Sequence, residues 1–159
     1  MKRILVVLML LVGCRFVSAQ PIKKMKMDHL VKLIDTTTVP LVVNFWATWC
    51  APCIHEIPWF EKNIVTFKNE KVKLILVSLD FADEYPKNIA AFAKKNGYHA
   101  DIIWLDETDT DSFCPKIDKK WEGTIPVSLM VNNKKHYRRF YNQQLPEAKL
   151  IQELKQLVE

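Results

Sequence analysis

A short apolar, β-branched run, Leu41-Val42-Val43-Asn44-Phe45-Trp46, leads through Ala47, Thr48 and Trp49 into Cys50-Ala51-Pro52-Cys53. The chain continues with Ile54-His55-Glu56-Ile57-Pro58-Trp59-Phe60-Glu61-Lys62. The first run reads as a buried strand, and the last mixes apolar and charged residues as a helix does. Two cysteines at this spacing, at the mouth of a strand-to-helix turn, read as a redox dithiol. That arrangement points to thiol–disulfide chemistry on an α/β scaffold.

The nucleophile of disulfide exchange is a thiolate, so one cysteine must ionise more readily than a free thiol, whose pKa is about 8.5. Cys50 is expected at the N-terminal end of the helix, where unpaired N–H groups and the helix dipole favour negative charge. Cys53, one helical turn on, is close enough to form a short disulfide with Cys50 and is expected to be the more buried. Pro52 suits the first helical turn, where no backbone donor is needed. The roles are asymmetric: Cys50 attacks and Cys53 resolves. A structural zinc site competes poorly, because zinc takes four ligands and the sequence offers no second CxxC or HxxxH pair. Haem attachment through CxxCH fails by one position, since His55 follows Cys53 by two. A purely structural disulfide would rarely use so short a loop.

On Asn44-Phe45-Trp46-Ala47-Thr48-Trp49-Cys50-Ala51-Pro52-Cys53, Glu56-Ile57-Pro58 and Gly123-Thr124-Ile125-Pro126, the chain resembles the thioredoxin superfamily, and within it the exported TlpA/ResA-like branch. The resemblance extends over residues 27–159. It implies a thioredoxin fold: a central mixed β-sheet flanked by helices, with a TlpA-like helix–strand insertion at 86–105. It also implies that Pro126, after Ile125, is the cis-proline beside the dithiol, a bond geometry that is costly except before proline. An ordinary proline opening a strand is the competing reading. Thr124, Ile125 and Pro126, with Trp49, Ala51 and Pro52, would then form the surface that receives an extended substrate.

Glu56 matches an acidic residue near the dithiol in this branch. A partly buried carboxylate there would shuttle a proton for the resolving thiol; a solvated helix glutamate is the alternative. Asn44 stands where cytosolic thioredoxins carry aspartate, which leaves Glu56 or water to move that proton. Trp46 and Trp49 are expected to pack around the site as support. His55 reads as a surface helix residue, with a thiol-activating imidazolium as the alternative.

The 159 residues, 49% hydrophobic and 26% charged, suffice for one globular domain with a core. The first twenty are set apart from it. Lys2-Arg3 precede an apolar run from Ile4 to Val12, followed by Cys14 and Val17-Ser18-Ala19-Gln20. This pattern reads as a signal peptide over 1–19, too short for a membrane span. Leu11-Val12-Gly13-Cys14 also resembles a bacterial lipobox, in which residues 1–13 would be removed and Cys14 lipidated. Either reading places the protein in a bacterial periplasm or cell envelope. Removing Lys2, Arg3 and Arg15 from 23 basic residues leaves 20 against 18 acidic, so the net charge falls from +5 to +2. That balance and the absence of a basic–aromatic pattern argue against a nucleic-acid partner. Lys23, Lys24 and Lys26 make residues 20–26 a basic arm, solvated or drawn to an anionic membrane. The leftover Cys114, between Phe113 and Pro115, is read as a buried small hydrophobe rather than a third redox centre.

Helices are expected at 27–35, 51–68, 86–97, 112–121 and 146–158, and strands at 41–47, 72–80, 102–105, 126–131 and 136–141. Residues 132–135 form the hairpin turn. The last helix presents Leu150, Ile151, Leu154, Leu157 and Val158 on one side.

Reduction potentials in the superfamily run from about −270 to about −120 mV. Ala51-Pro52 is closer to the pattern of its reductants than to that of its oxidants. The implied activity is that of a protein-disulfide reductase acting on exported disulfide-bearing proteins, with cytochrome c maturation or general thiol repair as roles. A membrane thiol donor would supply the electrons, and no cofactor or metal is implied. A disulfide isomerase or oxidant is the first alternative. A copper-delivery module using the same soft thiolates is another, disfavoured because the CxxxC spacing of such chaperones is absent. A peroxidase would need a peroxidatic cysteine in a different local pattern.

Overall fold

Six strands, β1 (Lys23–Met25), β2 (Leu41–Trp46), β3 (Lys73–Ser78), β4 (Asp101–Leu105), β5 (Val127–Asn132) and β6 (Tyr137–Tyr141), form one sheet in the order β1-β4-β3-β2-β5-β6. The computed structural model describes residues 21–159; the signal peptide and Cys14 readings lie outside them. β1, β4, β3 and β2 run parallel, whereas β5 is antiparallel to β2, and β6 to β5. Helices α1 (Met27–Thr36), α2 (Ala51–Ile64), α3 (Lys87–Asn96), α4 (Thr110–Ile117) and α5 (Glu147–Val158) cover the two faces. Among the described residues no helix is long and apolar enough to cross a membrane.

β2 lies at the centre with all six residues buried, which is why it reads as a continuous apolar run rather than an alternating one. Its side chains nevertheless alternate in direction. Val42 and Trp46 join the core under α2, α3 and α5 with Ile57, Phe60, Ile89 and Leu154. Leu41, Val43 and Phe45 join the opposite core with Met27, Leu30, Ile34 and Trp121, where the Phe45 and Trp121 rings lie 4.5 Å apart. Asn44 shares the α2 side with Val42 and Trp46. The strand thereby aims its one polar side chain at the helix that starts with the dithiol.

Most expected elements lie within a few residues of their sequence-based bounds. Residues 23–25 do not form a free arm: they pair with β4 as an edge strand. Lys24 and Lys26 contact the Asp106 carboxylate at 3.1 and 3.2 Å, and the Met27 amide donates to Glu107 Oε1 at 3.0 Å. The hairpin turn has a second duty, since Asn133 Nδ2 donates to the Ile34, Asp35 and Thr37 carbonyls at the end of α1. On α5 the buried set includes Glu153, with Leu150, Leu154 and Leu157. Lys149 pairs with it at 2.6 Å, and Tyr137 and Tyr141 on β6 donate to it.

Candidate active site

The strand-to-helix turn is held before the dithiol is reached. Cys50 occupies the N-cap of α2 with extended backbone angles; its amide donates to the Ala47 carbonyl, and its own carbonyl accepts from Ile54. Asp80, just past β3, fixes the neighbouring loop: Oδ1 accepts from the Thr48 amide at 2.9 Å and from Thr48 Oγ1 at 2.6 Å. Its Oδ2 accepts from Ser78 Oγ at 2.7 Å, and its carbonyl accepts from Trp104 Nε1. Nothing in the sequence singles out Asp80, because its partners come from two other strands.

Cys50 and Cys53 are joined by a disulfide. Cys50 retains 5% exposure and Cys53 none, so the rim sulfur is Cys50 and the sealed one Cys53. The Ile125–Pro126 peptide is cis. β5 begins immediately after it, antiparallel to β2 with Val127 opposite Phe45, which brings the loop to the end of β2 from which the dithiol emerges. The loop is braced by Trp121 Nε1 donating to the Thr124 carbonyl and by Thr124 Oγ1 donating to Asn142 Oδ1. Ala51, Pro52 and Thr124 are exposed, Ile125 is half-buried and Pro126 is buried.

Glu56 is fully buried, which excludes the solvated-helix reading. Asn44 Nδ2 donates to Oε1 at 2.7 Å, and the Leu145 amide donates to Oε2 at 2.8 Å. Burial pushes the carboxyl up to about 7, and these two hydrogen bonds only partly oppose it. The same Asn44 amide nitrogen also donates to Ser128 Oγ at 3.0 Å. Asn44 Oδ1 has no hydrogen-bond partner among the described residues; turning the amide over would offer it to a protonated Glu56. Ser128 and the Leu145 amide were not legible from the sequence. Nor was Gln144, whose Nε2 donates to the Pro52 carbonyl at 2.9 Å and lies 3.3 Å from His55 Nδ1.

The two tryptophans part company. Trp46 is buried as expected, but Trp49 is 57% exposed and stacks on Phe81, itself 70% exposed. The reason is positional: Trp46 is the last residue of β2, whereas Trp49 sits in the turn, beyond the sheet. His55 is exposed and meets the Trp59 ring edge-on. Cys114 is buried on α4, and burial raises its thiol to about 11, well out of thiolate range. Among the described residues no three His, Cys, Asp or Glu side chains gather about a point that would hold a metal.

A profile of the AhpC/TSA family matches residues 19–146. The chain is 33% identical over 91 residues to the thiol-disulfide oxidoreductase ResA of Oceanobacillus iheyensis, covering 52% of this chain and 47% of that protein. It is 28% identical over 93 residues to the sporulation thiol-disulfide oxidoreductase A of Bacillus subtilis, covering 58% and 53%. The chain thus spans about half the length of these curated relatives. A thioredoxin-related protein from Neisseria meningitidis serogroup B superposes with a TM-score of 0.63 at 26% identity, over 76% of this chain and 86% of that one.

Proposed function

The chain belongs to the AhpC/TSA family and has a thioredoxin fold, and from that premise we propose that it is a thiol–disulfide oxidoreductase that reduces disulfides in exported proteins. One observation carries this reading: a vicinal cysteine pair caps α2, with Cys50 at the rim, Cys53 sealed, and the Ile125–Pro126 loop beside the strand end that bears them. The names of the two curated relatives support the reaction class. Lys2-Arg3, the apolar run and Val17-Ser18-Ala19 support export to a bacterial cell envelope, with Cys14 as a lipid anchor in the alternative.

In the reduced protein, the Cys50 thiolate attacks one sulfur of the substrate disulfide. The substrate S–S bond breaks, a mixed disulfide forms, and the first substrate sulfur leaves as a thiolate that takes up a proton. Cys53 then gives its proton to Glu56 and attacks Cys50 Sγ, releasing the second substrate thiolate and closing the Cys50–Cys53 bond. Two electrons pass to the substrate, and a membrane thiol donor restores the dithiol. A carboxyl held at about 7 suits Glu56 to accept a proton at neutral pH and return it to the product.

The test is reduction of a protein disulfide by the reduced chain, followed by thiol trapping. Cys50→Ser should reduce turnover to the uncatalysed background, and Cys53→Ser should accumulate a stable mixed disulfide through Cys50. Full turnover in Cys50→Ser would show the assigned nucleophile to be wrong.

A further inference from the structure

Next to the dithiol lies a cavity of about 310 Å³ whose walls are Trp49, Leu79, Phe81, Trp104, Phe113 and Ile125. Two of these walls adjoin the chemistry in sequence: Trp49 precedes Cys50, and Ile125 precedes Pro126. Trp49 and Phe81 are two of the three large apolar side chains most exposed among the described residues, and they stack on each other at the mouth. A monomer gains nothing from leaving such a pair in water, and apolar surface of this kind marks a place where something docks.

The remaining lining narrows the occupant. Asp80, Asp106 and Glu107 also line the cavity, and among the described residues no lysine or arginine does, although Lys24 Nζ lies 5.1 Å over the Trp104 ring. Lys24 and Lys26 neutralise Asp106, and Lys26 reaches Glu107, whereas the Asp80 carboxylate accepts hydrogen bonds from Thr48 and Ser78. Aromatic faces carry a negative quadrupole as well. The interior therefore favours apolar groups and disfavours carboxylates. The volume lies at the small end of ligand pockets, which run to roughly 300–1,000 Å³, so it suits one large side chain rather than an extended ligand.

Resting on the reductase reading, we infer that this cavity selects substrates: the segment that meets Cys50 carries a large aromatic or aliphatic side chain next to its disulfide cysteine, and that side chain enters the cavity against the stacked Trp49–Phe81 pair. Phe81 is the specificity-determining residue, since it closes the mouth without belonging to the dithiol turn or the Pro126 loop. Burying such a side chain should raise the rate of attack by about tenfold or more over alanine at the same place.

Single-turnover reduction of short peptide disulfides by the reduced protein tests this. The peptides differ only in Phe, Ala or Glu at the position before, and in a second series after, their cysteine; hydroxyethyl disulfide serves as a probe with no side chain. The expected order is Phe over Ala over Glu in at least one series. Phe81→Ala should shrink the Phe-to-Ala ratio several-fold, and Ala82→Trp, which fills the cavity from its exposed lip, should do the same. A ratio near one in the native protein, or a ratio that survives both substitutions, would overturn the inference while leaving the reductase reading intact. Failure to reduce hydroxyethyl disulfide as well would remove that reading, and this one with it.

Discussion

Two glutamates that look alike in sequence are separated by what surrounds them. Glu56 and Glu153 each sit within a helix and are each buried. Burial would raise Glu153 too, but hydrogen bonds from Lys149, Tyr141 and Tyr137 outweigh it and hold the carboxyl below its usual range. Glu56 has an asparagine and a backbone amide in place of a cation, and rises to about 7. Its folded pKa lies above the unfolded value of 4.5, so the folded state holds the proton more tightly. The associated stability is complete below pH 4.5 and is lost as the pH rises through 7, a total of roughly 3 kcal/mol. Denaturant titrations of the oxidised protein at pH 5 and pH 8 should show this loss, and Glu56→Gln should flatten it. The same substitution should remove an inflection near pH 7 from the rate of the Cys53 step. An unchanged pH profile would deny Glu56 a part in proton transfer. Cys114, with its thiol raised to about 11, should resist alkylation in the native protein and react only on unfolding.

Among the elements, those carrying their own signal were legible. The apolar run of β2, the cysteine pair and Pro52 mark the turn into α2, and Gly97 marks the end of α3. Gly97 adopts φ 69°, and a Cβ there would meet nothing within 4 Å. Gly97→Ala should therefore cost about 1 kcal/mol from backbone strain alone, measurable as a lower denaturation midpoint with unchanged slope. β1 was not legible: Lys-Lys-Met has no strand pattern, and it is a strand because β4 supplies hydrogen bonds and Asp106 holds its lysines. The same holds for the second layer of the site. Ser128, Leu145 and Asp80 act through partners 84, 89 and 32 residues away, separations at which local pattern carries no information. Asp80→Ala should loosen the Thr48 loop, removing the acceptor of its half-buried amide at a cost of roughly 1 kcal/mol, with a lower thermal midpoint as the readout.

At the scale of the molecule, the sheet gathers these pieces at one edge. Parallel β2, β3 and β4 end on the same side, where the dithiol turn, Asp80 and Asp106 follow them, and antiparallel β5 starts there with the Pro126 loop. Active sites of open α/β sheets form at this edge because loops from several strands converge on it. In the proposed reductase, this edge delivers electrons rather than withdrawing them. The equilibrium potential of the Cys50–Cys53 couple, from titration in glutathione or dithiothreitol buffers with thiol trapping, tests that most directly. A value near or below about −220 mV is predicted for a reductant fed by a membrane donor; a value near about −120 mV would make the protein an oxidant and contradict the account.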